Sequence, residues 1–349
     1  MTTTSQISTR GATTEALDKT TSMNEILRYR ILEDCNDVGE KEVAQPHVDH
    51  ILAVVENRME PLPAARQITH ILVEQAADIK AKIDSSGTNK SYPRIAEIVG
   101  MAIASTASSC HPLAQERIFQ LLDAFVSLGP IGEIPNQLVL PNGEFNGDPD
   151  LKDVLDSRPF KPLWENLQVL KLSNHCQWLA DLGKVQCAYW SQENSDISDL
   201  GEKWSGIEKR NSEEQYRWRN LSYFFARLSM EGKEDLGWIS ALSYLEPAGR
   251  IPNSTPGWSG FLAGQVMAAA QWIVPEGHGA WVRRKCFKTV SDGSGHMLQA
   301  ENWEVWKAAF LELADRQDDP RVPEEAIEDA RRAVQTMEDL EVGDVVSIG

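Results

Sequence analysis

Apolar residues recur along this chain with the period of an α-helix, and this periodicity restricts the possible folds more than any other feature of the sequence. In the first 128 residues the spacing i, i+3, i+4, i+7 is repeated in five consecutive segments, which begin near Ser22, Pro46, Ile68, Pro93 and Pro112. Proline is tolerated in the first turn of a helix because the amide hydrogen that it lacks has no partner there. The spacing therefore predicts five amphipathic helices joined by short links.

The same period continues through the second half of the chain, where it predicts further helices at 163–190, 235–246, 258–274, 299–316 and 324–340. Between the first two of these, Ser212 and Gln215 form a capping-box pattern before the helical segment YRWRNLSYFFARL. No strand-rich segment interrupts the series. The sequence thus predicts an all-α fold of layered antiparallel helical pairs, similar in outline to an α/α superhelix.

One stretch rich in proline and glycine, residues 129–162, interrupts the helical pattern and contains the turn dipeptides Asn142-Gly143 and Asn146-Gly147. The first residues of the chain are rich in threonine and serine and lack an apolar segment, which is typical of a disordered tail. The predicted organisation is a disordered tail at 1–22, an N-terminal helical layer at 23–128, a linker or loop at 129–162, a Trp-rich helical core at 163–316, and an acidic C-terminal helix and tail at 317–349.

The charge of the chain excludes some classes of partner. Its 34 Lys+Arg stand against 52 Asp+Glu, a formal net charge of −18. Binding to the phosphate backbone of nucleic acids needs clustered basic residues, so we expect no nucleic-acid partner. An acidic surface is also repelled by anionic membranes. The five cysteines are odd in number and irregularly spaced, which indicates a reducing compartment and favours a cytoplasmic location.

The uncharged stretch 251–275 is long enough to cross a bilayer. Its first third consists largely of Pro, Ser and Thr, and Gln265 and Gln271 lie in its helical part. We interpret it as a buried helix of a protein without a membrane span.

The sequence contains none of the standard nucleotide-binding, nucleophile or zinc-protease motifs, so we expect no cofactor. His47 and His50 have the i, i+3 spacing that can hold one metal ion between two imidazoles. No third ligand follows at a useful spacing, so we expect no metal and interpret these residues as surface or helix-start histidines.

Tryptophan is distributed unevenly, because all eleven lie between Trp164 and Trp306. A tryptophan buries a large apolar area and carries an N–H that needs a partner, so such a cluster suits either a packed core or the wall of a pocket. In the pocket interpretation the ligand-binding residues are Trp238, Trp258, Trp272, Trp281 and Gln271. The simpler interpretation is a packed core.

Polar residues at the turns of the same region are the candidates for catalysis. Glu246 and Arg250 flank one Pro/Gly turn, and Glu276 and His278 flank another. In an enzyme, either glutamate would serve as acid or base, and the arginine or the histidine would be its electrostatic partner. The alternative is that these side chains only cap helices.

Three segments carry a family resemblance: WRNLSYFFARL (218–228), AAAQWIV (268–274) and ENWEVWKAAFLELA (301–314). They resemble a fungal family of all-helical proteins of uncharacterised function. The resemblance implies an all-α cytosolic protein, and some genes of such a family lie near secondary-metabolite pathways. It supplies no catalytic residues.

The sequence thus leaves three functional hypotheses. The first is an accessory protein of a fungal secondary-metabolite pathway that binds a small apolar molecule or a partner protein. The second is a cofactor-independent isomerase or cyclase that folds its substrate in a Trp-lined pocket. The third is a helical scaffold for a protein partner.

Overall fold

The computed structural model describes residues 23–36, 41–86, 95–128, 170, 201–234, 236–237, 240–245, 258–287, 298–318 and 322–347. Within these ranges all regular structure is helical, which confirms the predicted all-α class. The helices are α1 (Met23–Asn36), α2 (Lys41–Val55), α3 (Pro61–Ser86), α4 (Ile95–Ser109), α5 (Glu116–Ser127), α6 (Gly201–Met230), α7 (Trp258–Ala270), α8 (His278–Cys286), α9 (Ala300–Ala314) and α10 (Glu324–Ser347). Two short 3₁₀ helices span Pro112–Ala114 and Ala241–Tyr244.

Some predicted boundaries differ from the structure. Helix α2 begins at Lys41, so Pro46 lies inside the helix rather than in its first turn, because the preceding residues Lys41–Gln45 also adopt helical structure. Around 235–246 the described residues include the short 3₁₀ helix Ala241–Tyr244 and none of them is α-helical, unlike the predicted α-helix. The predicted tail at 1–22 and linker at 129–162 lie outside the described residues, as does the predicted helix at 163–190 except for Leu170.

The N-terminal helices pack as antiparallel neighbours. Helices α1 and α2 are joined by an ion pair from Arg28 Nε to Asp49 Oδ1 at 2.6 Å and by another from Lys41 Nζ to Glu33 Oε1 at 2.6 Å. Helix α2 packs against α3 and α4, and α3 packs against α5. The apolar face of α2 that the spacing predicts is buried, including Val48, Ile51 and Leu52.

Three helical segments contain no exposed side chain among the residues whose burial is described. They are helix α4, the second half of α6, and the second half of α7. Helix α6 contacts α4 on one side and α7 on the other, and α7 in turn contacts α10. The resulting order α4, α6, α7, α10 joins the N-terminal helices to the C-terminal ones through one continuous set of buried apolar residues.

The acidic C-terminal segment is helical, as predicted, and α10 packs against α7 and α9. Its inner face contributes small apolar residues such as Ala326, Ala330 and Ala333 to the buried core. No helix in the described ranges has both the length and the apolar character needed to cross a membrane.

Candidate functional site

The junction of α6, α7 and α8 brings together four of the residues that the sequence singles out: Gln271, Trp272, His278 and Trp281. The Trp272 side chain is fully buried, and its Nε1–H donates a hydrogen bond of 2.9 Å to Ser222 Oγ on α6. Its ring packs against that of Trp281 with 6.2 Å between ring centroids. The N–H that a buried tryptophan must satisfy is therefore paired inside the protein.

His278 is the first residue of α8 and is buried. Gly277 precedes it at φ 80°, a left-handed conformation that favours glycine and turns the chain into the helix. The Nδ1 atom of His278 lies 2.7 Å from the carbonyl oxygen of Gln271, so Nδ1 carries the proton and donates it. The ring also stacks on Tyr223, with centroids 5.5 Å apart. Burial lowers the pKa of His278, so the ring is neutral near pH 7.

Small residues in this region allow neighbouring backbones and side chains to approach closely. A Cβ atom at Gly279 would lie 2.7 Å from the carbonyl oxygen of Ile273, and one at Gly264 would lie 2.8 Å from Gln215 Cγ. Both glycines are thus in contact with neighbours that leave no space for a methyl group. From the sequence, small residues here are compatible with either close packing or a recess. At these two positions the structure shows close packing.

Of the remaining predicted site residues, the structure describes the side chain of Glu276 alone. Glu276 is exposed in the turn before α8, while His278, two residues later, is buried. Glu246, Arg250 and Trp238 lie outside the described residues, and Trp258 begins α7 with its side chain outside them. The proposed catalytic and ligand-binding roles of all these residues stay predictions.

A second cluster, which the sequence did not reveal, joins α6 to α10. It consists of Tyr216 and Arg219 on α6 with Glu325 and Asp329 on α10, and we name it the α6/α10 cluster. The Tyr216 hydroxyl donates a short hydrogen bond to Glu325, and the Arg219 guanidinium carbon lies 4.8 Å from the centroid of the Tyr216 ring. The nitrogens Nε and Nη2 of Arg219 donate to Asn220 Oδ1 at 3.2 and 3.0 Å.

Burial alters the acidity of the α6/α10 cluster. It raises the pKa of the Asp329 carboxyl above its ordinary value, and the nearby Arg332 and Arg219 oppose that effect. Burial and the bond to Glu325 raise the pKa of Tyr216 to about 12. The only hint in the sequence was the i, i+4 spacing of Glu325 and Asp329, which places both carboxylates on one side of α10.

A third polar group lies where α1, α4 and α6 meet. Arg217 Nη2 contacts Asp34 Oδ2 at 2.5 Å, and the same Asp34 oxygen accepts a short hydrogen bond from Ser105. Arg217 also donates to Ser108 Oγ, at 3.1 Å from Nη2 and 3.3 Å from Nε. The side chains of Asp34 and Arg217 are only 13% and 15% exposed. This junction ties the two halves of the chain together with directional bonds.

Other candidate groups offer no reactive or metal-binding arrangement in the described part of the chain. His47 is fully buried rather than exposed, its Nε2 lies 2.9 Å from Gln75 Oε1, and burial lowers its pKa to about 4. Burial also raises the pKa of Cys110 to about 11, which disfavours the thiolate. Among the residues described, no three His, Cys, Asp or Glu side chains are grouped as metal ligands.

One surface recess of about 360 Å³ lies between α1 and α2, lined by Glu25, Arg28, Asp49, Leu52, Glu56 and Arg58. Its two arginines are already paired, Arg28 with Asp49 and Arg58 with Glu56. A ligand entering the recess would compete with these ion pairs.

Comparison with known proteins yields one match. No curated protein and no solved structure matches this chain. A family of unknown function matches residues 101–310, from α4 to α9, which confirms the resemblance to an uncharacterised family. Because the match covers more than half of the 349 residues, the chain belongs to the family described as Protein of unknown function (DUF3632).

Proposed function

We propose that this protein is a helical scaffold that binds a protein partner through the exposed outer face of α10. The observation that carries the proposal is the contrast between the two sides of this helix. Its inner side is buried against α7 and α9, whereas its outer side is exposed and acidic. Among the α10 residues whose burial is described, 324–342, the exposed charged side chains are five carboxylates and two guanidinium groups: Glu324, Glu325, Glu328, Glu338, Asp339, Arg331 and Arg332.

The charge of this face indicates the chemistry of the partner. Carboxylates spaced along more than three turns of helix fit a partner surface that presents lysine or arginine side chains at similar intervals. The net charge of −18 adds a long-range attraction for such a partner. Interactions of this kind raise the association rate more than the final affinity, and salt weakens them.

The aromatic junction supports the same proposal indirectly. Trp272 and His278 donate their hydrogen bonds to groups of the chain itself, to Ser222 and to the Gln271 carbonyl. Side chains that are committed in this way stabilise a fold, and a ligand would have to displace those bonds. We therefore assign the junction to the core of the scaffold and the binding function to the surface.

The proposal is tested by neutralising the acidic face of α10 in the full chain. A partner is first captured from an extract and identified by cross-links to α10, and its association with the purified protein is then measured. The variant Glu324→Gln/Glu328→Gln/Glu338→Gln should slow association about tenfold at low salt, within the range over which electrostatic steering changes rates. The matched control is Glu301→Gln/Asp315→Asn/Asp318→Asn, three exposed carboxylates on or next to α9, and its association rate should stay close to wild type.

Equal association rates for the two variants would refute the assignment to α10. Cross-links that avoid α10 would do the same.

A second candidate function is binding of a small apolar molecule, as an accessory protein of a fungal biosynthetic pathway. One observation favours it: Tyr223 and Trp281 are only half-buried, and their rings pack against the buried His278 and Trp272. An apolar ligand could therefore reach aromatic rings without entering the core. In this case the tryptophan fluorescence should change when pathway intermediates are added, and Trp281→Phe should reduce the change. A ligand response that is unaltered in Trp281→Phe would exclude this surface.

A further inference from the structure

The most exposed large apolar side chain among the described residues is that of Leu113, which is 86% exposed. Leu113 is the middle residue of the 3₁₀ helix Pro112–Ala114, and the neighbouring Ala114 is exposed as well. Single exposed leucines are common on protein surfaces, so exposure alone does not indicate a site. Two further features distinguish Leu113: the turn that carries it is firmly anchored, and it lies beside α10.

The 3₁₀ turn is held in place at both ends. At its start the ring of Pro112 fixes one backbone angle, and Nδ1 of His111 accepts a hydrogen bond of 3.2 Å from the amide of Leu113. At its end Gln115 is fully buried, and its Nε2 donates to three backbone carbonyl oxygens, two at the end of α4 and one on α6, at 2.8–3.2 Å. The turn therefore presents Leu113 on a backbone that need not be ordered when a partner binds.

The same turn lies beside the N-terminal end of α10. The turn packs against α6, which the α6/α10 cluster joins to α10, and the carboxylate of Glu325 acts electrostatically on the imidazole of His111. Within its first two turns α10 exposes three carboxylates, those of Glu324, Glu325 and Glu328. The nearby cation Arg219 is half-buried and stacks on a tyrosine ring of its own helix. Leu113 is thus an apolar side chain next to an acidic surface.

An acidic face and an apolar anchor contribute differently to binding. Surface charges attract a partner from a distance and raise the association rate, whereas a few well-placed side chains that become buried supply most of the binding energy. Along the part of α10 whose burial is described, 324–342, the exposed side chains are charged or amide groups except Val342 at the far end. Leu113 supplies an apolar anchor at the end that exposes three neighbouring carboxylates.

We propose that the docking surface on α10 extends over the 3₁₀ turn, and that its partner is a basic peptide segment with a bulky apolar side chain that packs on Leu113. The lysine or arginine side chains of that segment pair with Glu324, Glu325 and Glu328. This inference rests on the proposed function, because it names the chemistry of the partner that α10 binds.

Selection from a phage-displayed library of random peptides, with the full chain as bait, tests the proposal. The enriched peptides should combine lysine or arginine with a bulky apolar residue, and a synthetic peptide of the consensus sequence is the probe. Leu113→Ala should raise the dissociation rate of this peptide about tenfold, as truncation of an anchor side chain does. The association rate should stay the same because no charge changes. The thermal midpoint should also stay the same, since Leu113 is exposed.

Three control variants separate the anchor from the charges. Leu62→Ala is the same truncation at an exposed leucine on α3, and Val342→Ala truncates the exposed apolar residue at the far end of α10. Both should leave the dissociation rate unchanged. Glu324→Gln/Glu328→Gln should mainly slow association, and its effect should disappear at high salt, whereas the effect of Leu113→Ala should persist there.

The outcomes distinguish this inference from the proposed function. If Glu324→Gln/Glu328→Gln slows association while Leu113→Ala leaves dissociation unchanged, α10 stands as a binding surface and the anchor at Leu113 is refuted. Faster dissociation from Val342→Ala than from Leu113→Ala refutes the anchor in the same way. If no basic peptide is enriched, or if association is insensitive to both carboxylates, the proposed function is contradicted as well.

Discussion

Helices α4 and α7 are the two helices of this protein whose described side chains are nearly all buried, and they are surrounded by different chemistry. Both are rich in small residues, so that neighbouring helices can pack closely around them. The C-terminal end of α4 is held by an ion pair and hydroxyl groups that involve Asp34, Ser105 and Arg217. The end of α7 leads into Trp272, which fills space and makes one hydrogen bond.

This difference indicates how each half is stabilised. The α4 end depends on directional bonds between partners that must all be present, since a buried charge without its partner is costly. The α7 end depends on buried apolar area, which tolerates some repacking but not a large cavity. Substitutions in the two places should therefore differ in size and in whether a second substitution can repair the first.

The largest effect should come from Trp272→Ala. Truncating a fully buried tryptophan leaves a cavity and an unpaired Ser222 hydroxyl, so the free energy of unfolding should fall by about 3–5 kcal/mol. Ser222→Ala removes only the hydrogen-bond acceptor and should cost about 1 kcal/mol. Denaturant unfolding of both variants measures the difference, and a cost below 1 kcal/mol for Trp272→Ala would show that this residue is not in a packed core.

A cost of about 3 kcal/mol is expected for Arg217→Met, because Asp34 would remain largely buried without its partner. The double variant Asp34→Asn/Arg217→Met removes both charges and should recover most of this loss. Unfolding measurements on the two single variants and the double variant give the coupling energy. Additive costs would contradict the idea that the junction acts as one unit.

A smaller loss, about 1–3 kcal/mol, is expected for Gly279→Ala. The new methyl group would lie 2.7 Å from the carbonyl oxygen of Ile273, and backbone atoms move less readily than side chains. The thermal midpoint and the denaturant midpoint should both decrease. An unchanged stability would mean that α8 can shift away from the turn that precedes it without cost.

The smallest effect is a dependence of stability on pH, and it comes from His47 on α2, in the N-terminal half. Because burial lowers the pKa of His47 to about 4, the unfolded chain binds a proton first as the pH falls through 6.5, and the protein loses stability. Between pH 6.5 and 5.5 the contribution of His47 to this loss should be about 1 kcal/mol, and the loss should be smaller by that amount in His47→Leu. A pH dependence that is the same in the variant would rule out His47 as its source.

The sequence predicts the class of fold because apolar spacing reports which side of each helix is buried. It predicts the burial of Val48 and Ile51 for the same reason, whereas the tryptophan cluster left open whether Trp272 lines a pocket or fills a core. It does not report which helix lies opposite, so contacts between distant positions could not be found. Asp34 and Arg217 are 183 residues apart, and Tyr216 and Glu325 are 109 apart. Only the folded chain brings such pairs together. By contrast, His278 and Gln271 are seven residues apart, and the sequence identifies both as candidate site residues.

If the aromatic junction is core and the binding function lies on the surface, solvent should not reach the indole of Trp272 in the native protein. Exchange of its Nε1–H can be followed by NMR in a chain labelled with ¹⁵N-tryptophan, with Trp272→Phe used for assignment. Exchange should proceed only through global unfolding, whereas the half-buried Trp281 should exchange much faster. Exchange of the Trp272 indole within minutes under native conditions would show that the junction opens to solvent, as a ligand pocket would, and would contradict its assignment to the core.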